Sequence, residues 1–247
     1  MNISWQAPGF KFFRKVVALG TLYTTCALAS LVEQKEGEFK SYVDRNLEKI
    51  IQEQEETLGI IYPKERPVIH YYIPSENAIV RGNYDQKTNE IFLLSDRYED
   101  PEWNFSIARD TLHHELAHYY MDKLSEEIAN VDYPQYGENT SLAEMLSIKL
   151  ISEGTATYIE RKMNGQEDTF TDNDWPKSIQ GFVLHQYLPY PKNEIIYEGG
   201  FHLVKPIIAQ YGGKGIKYIM FNPPQEQEML NLPLYQQRIL EELSKKP

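Results

Sequence analysis

Apolar positions over residues 36–58 fall at Phe39, Tyr42, Val43, Leu47, Ile50, Ile51 and Leu58, with charges between them. That spacing returns to one face every three or four residues and predicts an amphipathic helix. Pro63 and Pro67 frame a connection. Val68 to Ile73 is rich in β-formers and stops at Pro74. Two further apolar runs, Ala78–Arg81 and Glu90–Leu94, flank the polar stretch Gly82 to Asn89 and predict a hairpin.

After Leu94 the pattern turns helical. Asp100-Pro101-Glu102 predicts a helix start, with a capping Asp, Pro in the first turn and an acid near the positive end of the dipole. This helix is expected to run to about Leu124. Ser141-Leu142-Ala143-Glu144 has the form of a capping box and opens a second helix, expected to end near Asn164-Gly165. More helices are expected near 176–187, 194–211 and 223–244, with Gly212-Gly213 stopping the middle one. The sum is an α+β chain: a small N-terminal sheet with a hairpin, then a mainly helical C-terminal part.

Charge narrows the partners. The chain carries 25 basic and 36 acidic residues, a net charge of −11. Such a chain repels nucleic acid and anionic membrane surfaces, and no basic stripe reverses this. Tyr211-Gly212-Gly213-Lys214-Gly215 lacks the spacing of a phosphate-binding loop. A lone Cys26 excludes both an internal disulfide and a cysteine zinc site, so any metal must be held by His and carboxylate.

The first 29 residues contain Lys11, Arg14 and Lys15 but no acid. An uncharged run from Val16 ends in Ala27-Leu28-Ala29, the pattern of a secretory signal peptide. The expected organisation is a signal peptide over 1–29, a helical segment over 30–65 and one main domain over 66–247. The product would be exported, with membrane anchoring through residues 11–29 as the lesser alternative. No stable membrane span is expected after cleavage.

The chemistry sits in the first long helix. His114-Glu115-Leu116-Ala117-His118 is H-E-x-x-H. Residues four apart share a helix face, so His114 and His118 can offer two nitrogens to one zinc ion. Glu115 points about 100° away, where it can reach a water on the ion and take its proton. A surface helix can carry two histidines by chance, but Ile107, Thr111, Leu112, Tyr119 and Leu124 give this one a face for a core. His113 points away from the other two and reads as supporting or structural. A catalytic zinc has three protein ligands and an open position. Glu153, on a face with Leu146, Leu150 and Thr157, is the candidate for the third, and Gly154 would let the motif helix approach closely. Glu144 is already explained by the capping box.

H-E-x-x-H followed by a helix carrying E-G-x-A-x-Y, here Glu153 to Tyr158, resembles the gluzincin class of zinc metallopeptidases, in its peptidase-MA-like branch. The likeness covers roughly residues 66–212. It implies a zincin-like fold with the active-site cleft between sheet and helices, and one zinc ion per chain on His114, His118 and Glu153. It also implies Glu115 as general base, and a Tyr or His against the oxyanion, with Tyr197 the first candidate and His202 the second. The arm Glu90–Leu94 would form the cleft edge along which a peptide or protein substrate lies. The pattern departs at Thr157, where many gluzincins place an Asp that orients a zinc-bound histidine. Support must then come from Thr157, Glu160 or elsewhere.

Two other readings stay open: a non-catalytic zinc-binding module of gluzincin-like fold, against which the intact Glu115 argues, and a zinc hydrolase of a non-peptide amide or ester. Cleavage preference, the choice between endo- and exopeptidase, and oligomeric state are not written in the residues.

Overall fold

The computed structural model describes residues 40–72, 82–94, 105–130, 133, 140–166 and 193–245, with 34, 37 and 38. The leader-like segment, the Asp100-Pro101 helix start and the helix expected at 176–187 lie outside the described residues. A helix over 40–58 (α1) comes first, followed by strands Val68–Tyr72 (β1), Gly82–Asp85 (β2) and Glu90–Leu94 (β3). The helices Phe105–Ala129 (α2), Leu142–Asn164 (α3), Asn193–Met220 (α4), Glu226–Met229 (α5) and Leu232–Ser244 (α6) complete the order. The architecture is α+β, a three-stranded mixed sheet near the N-terminus and a mainly helical remainder. Among the described residues no helix is long and apolar enough to cross a membrane.

The sheet order is β1-β3-β2, with β3 parallel to β1 and antiparallel to β2. The hairpin is real, but its turn differs from the sequence reading; the expected first arm, Ala78–Arg81, lies outside the described residues. Gly82–Asp85 is strand, not turn, and the turn is 86–89. The polar letters concealed this because only Tyr84 carries an apolar body inward: its ring stands edge-on to Tyr119 at 5.8 Å. Asp85 Oδ1 accepts the Lys87 N–H at 2.9 Å, and Asn89 takes φ 63°, a left-handed value that Asn tolerates. A second correction follows from the strand order. β3 is paired on both sides, so it cannot be the cleft edge; among the described residues that place belongs to β2.

Ile91 and Leu93 alternate inward from β3 and are buried with Leu112, Leu116 and Met121 of α2. Each such side chain contributes about 1.5–3 kcal/mol by leaving water. α2 is buried on most of its circumference and runs to Ala129, beyond the expected Leu124. α1 docks on the side of α2 away from the H-E-x-x-H face. Gln54 Nε2 donates to His113 Nδ1 at 2.7 Å, and the Tyr62 hydroxyl lies against Gln54 Oε1 and 3.1 Å from the Leu116 carbonyl. His113 is therefore a core histidine, and burial, helped by Arg109, lowers its pKa to about 4.

α3 opens with the expected capping box, Ser141 Oγ accepting from Glu144 N–H and Glu144 Oε2 from Ser141 N–H. It ends at Gly165, at φ 63°. Its most extensive packing is on α4. Here the reading of Gly154 needs correction: it accommodates α4, not the motif helix. A Cβ on Gly154 would stand 2.2–2.6 Å from backbone atoms of Gly200, and one on Gly200 would stand 2.4 Å from the Leu150 carbonyl oxygen. Helix periodicity shows that a glycine lies on a packed face but does not say which neighbour crosses it. Gly212 breaks α4 at the expected stop. It adopts φ 52°, ψ −134°, kinks the helix where the Leu58 carbonyl passes, and lets it resume to Met220. The helix expected over 223–244 is two helices, α5 and α6, joined by Leu230 and Asn231.

Candidate metal centre

α2 delivers His114 and His118 to one face a turn apart, and α3 brings Glu153 across from them. His114 Nε2 and His118 Nε2 are 3.2 Å apart, and each lies 3.3 Å from Glu153 Oε2. These three atoms form a group that could hold a metal ion. The triangle tests the fit. Ligands of a tetrahedral ion at bonds of 2.0–2.1 Å stand about 3.3–3.4 Å apart, and the observed edges match that spacing.

Hydrogen bonds on the far ring atoms set the tautomers. Glu160 Oε2 lies 3.0 Å from His114 Nδ1, and an ionised carboxylate only accepts, so His114 carries its proton on Nδ1. Ser152 Oγ lies 3.2 Å from His118 Nδ1 and can accept in the same sense. Both Nε2 lone pairs then face the Glu153 carboxylate. Three acceptors so close need a cation between them, either a proton or a metal ion. The charges agree. Burial opposes ionisation of His114, but hydrogen bonds to Glu153 and Glu160 and the nearby Glu115 overcome it and raise its pKa to about 10. Burial likewise disfavours the Glu153 carboxylate, yet His118 and His114 hold its pKa well below the usual range.

The support expected in place of the missing Asp therefore comes from Glu160, two turns beyond Glu153 on α3. Thr157 Oγ1 is buried and has no hydrogen-bond partner among the described residues. Ser152 was not anticipated; its only signal was its place beside Glu153, on the same end of the same helix.

Glu115 is 5% exposed and lines the same cleft without belonging to the triangle. Burial raises its pKa, with His114 and His118 pulling the other way. Its carboxylate rests against the start of β2, where a Cβ on Gly82 would stand 2.5 Å from Glu115 Oε1 and from Thr111 Cγ2. The cleft has a volume of about 410 Å³. β2 and its turn form one wall, α2 the floor, and Lys149, Ser152 and Glu153 of α3 another wall, with Tyr133 and Tyr197 completing the lining.

Tyr197 stands with its ring centroid 5.8 Å from that of His114. Burial first, then Glu153, Glu115 and Glu160, raises its pKa, so the hydroxyl keeps its proton. His202 does not line this cleft. Its ring stands edge-on to Phe201 at 5.4 Å, and its carbonyl accepts from Gln236 at 2.8 Å, toward α6. Five residues separate it from Tyr197, which turns it well round α4 from the site.

β2 is fastened to α2 by a buried polar cluster. The Tyr84 hydroxyl lies 2.8 Å from Asp122 Oδ2 and 2.9 Å from Asn89 Oδ1, and Asp122 Oδ1 accepts the Tyr133 N–H at 3.2 Å. Asp122 lies one turn after His118 on α2, so the helix that carries the histidines also holds the wall opposite α3.

No protein-family model matches the chain, and no curated protein or solved structure matches it either. The likeness to gluzincins rests on two short motifs alone, His114 to His118 and Glu153 to Tyr158.

Proposed function

We propose that the chain is a zinc-dependent hydrolase of peptide bonds, gluzincin-like in its site, with His114, His118 and Glu153 as ligands and Glu115 as general base. The observation that carries this reading is the triangle of ligand atoms at 3.2–3.3 Å with a buried carboxylate beside it that takes no part in it. A purely structural site has no use for such a carboxylate.

Zinc held there would polarise a carbonyl and make water acidic near neutral pH. The remaining work falls to side chains. Glu115 takes the proton from the attacking water and returns it to the leaving amine; a pKa raised by burial suits a group that must do both. Tyr197, kept protonated, donates to the oxygen on which negative charge develops. Glu160 and Ser152 hold the imidazoles in orientation. An extended peptide would lie along the outer edge of β2, whose residues line the cleft and whose backbone groups on that side pair with no strand among the described residues. The leader-like residues 1–29 would place this activity outside the cytoplasm.

The test is metal content by elemental analysis of wild type, His114→Ala and Glu153→Ala after zinc is supplied and excess removed. A peptide library then compares wild type with Glu115→Gln. The reading expects about one zinc per chain, as a three-ligand site requires, lost in both ligand variants, and hydrolysis that Glu115→Gln abolishes while keeping the metal. Absence of zinc from the wild type would end the metal-site reading. Zinc without hydrolysis of any amide or ester would leave a binding module in its place.

A further inference from the structure

The cleft holds a cation that the hydrolytic residues do not use. Lys149 lies on α3 one turn before Glu153, on the face that supplies the ligand. It is half-buried, and no carboxylate pairs with its ammonium among the described residues. Lys123 and Lys49, by comparison, pair with Glu126 and Glu53 on their own helices. In a chain with 36 acidic residues against 25 basic ones, a half-buried lysine left without an acid in a concave site is informative. The acids of the lining are engaged elsewhere: Glu153 with the histidines, Glu115 beside them, Asp85 with the backbone of its own turn.

We infer that Lys149 receives a carboxylate of the substrate, lodged one helical turn along α3 from the metal ligands, so that the site prefers acidic peptides. The inference rests on the hydrolase reading for the identity of its substrate, but the charge recognition itself requires only binding. An acid entering this cleft meets the Glu115 and Glu153 carboxylates, and Lys149 offsets their repulsion on the α3 wall. Lys87, in the hairpin turn on the opposite wall, is the competing cation. It is exposed and its charge is largely solvated, so it contributes less to recognition. A lysine that merely runs its stem along α3 with its ammonium in bulk water would give no such preference.

The carboxylate could belong to an acidic side chain or to the C-terminus of a short peptide. Three fluorescein-labelled hexapeptides separate these sources: one with an internal Glu and an amidated end, one with Gln there and an amidated end, and one with Gln and a free carboxylate. Their binding to the full-length Glu115→Gln protein is followed by fluorescence anisotropy, with and without zinc, alongside zinc content. The expected result is about tenfold tighter binding of one acidic peptide over the Gln amide, the worth of one charge-assisted hydrogen bond. Lys149→Met should reduce that ratio to about twofold or less, Lys149→Arg should keep most of it, and Lys87→Met should leave it in place. Preference for the internal Glu assigns a side-chain pocket; preference for the free end assigns an exopeptidase. Equal binding of all three peptides, or a preference that survives Lys149→Met, overturns the inference. A Lys149-dependent preference in a protein that hydrolyses nothing would overturn the hydrolase reading and leave this one standing.

Discussion

Glu160 Oε2 lies 3.0 Å from Nδ1 of His114, while the other nitrogen of the same ring faces Glu153. One imidazole is thus held between two carboxylates of α3, seven residues apart in sequence. Glu160 fixes the tautomer that leaves the inner nitrogen free to bind metal, and it makes that nitrogen more basic. Glu160→Gln should therefore weaken zinc binding by roughly 10–100-fold with the fold intact. Competition against a chromophoric chelator measures this, and unchanged affinity would show that the contact does not orient the ligand.

Gly82→Ala separates the base from the metal. The added Cβ would press on the ends of the Glu115 and Thr111 side chains, which can move, rather than on backbone. The variant should fold and keep its zinc while the displaced base lowers kcat by about 10² or more. Wild-type kcat in a correctly metallated Gly82→Ala would remove Glu115 from the proton transfer or the contact from the structure.

Tyr197→Phe deletes one hydroxyl beside His114. If that hydroxyl meets the developing oxyanion, kcat should fall by about 10²–10³ with KM and zinc content little changed. A rise confined to KM would make Tyr197 a binding residue instead.

The metal-free protein should depend on pH in two directions. The folded-state pKa of His114 is raised from 6.5 to about 10, so its contribution to stability is whole below pH 6.5 and is lost as pH rises through about 10. Glu153 is depressed below its ordinary 4.5, so its contribution is present above that pH and is lost as acid protonates it. A metal ion replaces the His114 proton. Binding between pH 6.5 and 10 should release about one proton and tighten as pH rises. Calorimetric titration of zinc in two buffers of different ionisation enthalpy counts that proton; none released at pH 8 would show that His114 carries no proton on its inner nitrogen in the metal-free protein.

Gly154→Ala tests the helix crossing. The atoms it would strike are backbone atoms of Gly200, which cannot swing aside. Overpacking of this kind costs about 1–3 kcal/mol, or several degrees of Tm in a chain of this size. Thermal unfolding at the wild-type Tm would place α3 and α4 further apart.

The His114, His118 and Glu153 group was legible because the chemistry is local: i, i+4 histidines define a face without knowledge of the fold, and Glu153 stood on an apolar stripe that could not leave it in water. What surrounds them was less legible. The Gly82–Asp85 strand reads as a turn because its burial rests on one tyrosine and one close glycine, not on alternation. Gly154 declared that something lies against it, but its partner Gly200, like the His118 that Ser152 meets, comes from another helix, and no periodicity within one helix names its neighbour. Residue type admits both Tyr197, the first candidate, and His202, the second, and rotation about α4 puts only Tyr197 on the cleft.

The Gly154–Gly200 crossing also constrains how this molecule can diversify. Gly154 follows Glu153, and Gly200 comes three residues after Tyr197, so the distance between two helix axes also sets the distance from carboxylate to phenol. Neither glycine can enlarge without moving the chemistry. In descendants of this chain the two positions should change together or remain as they are, while the surface of the cleft, Lys149 included, is free to drift.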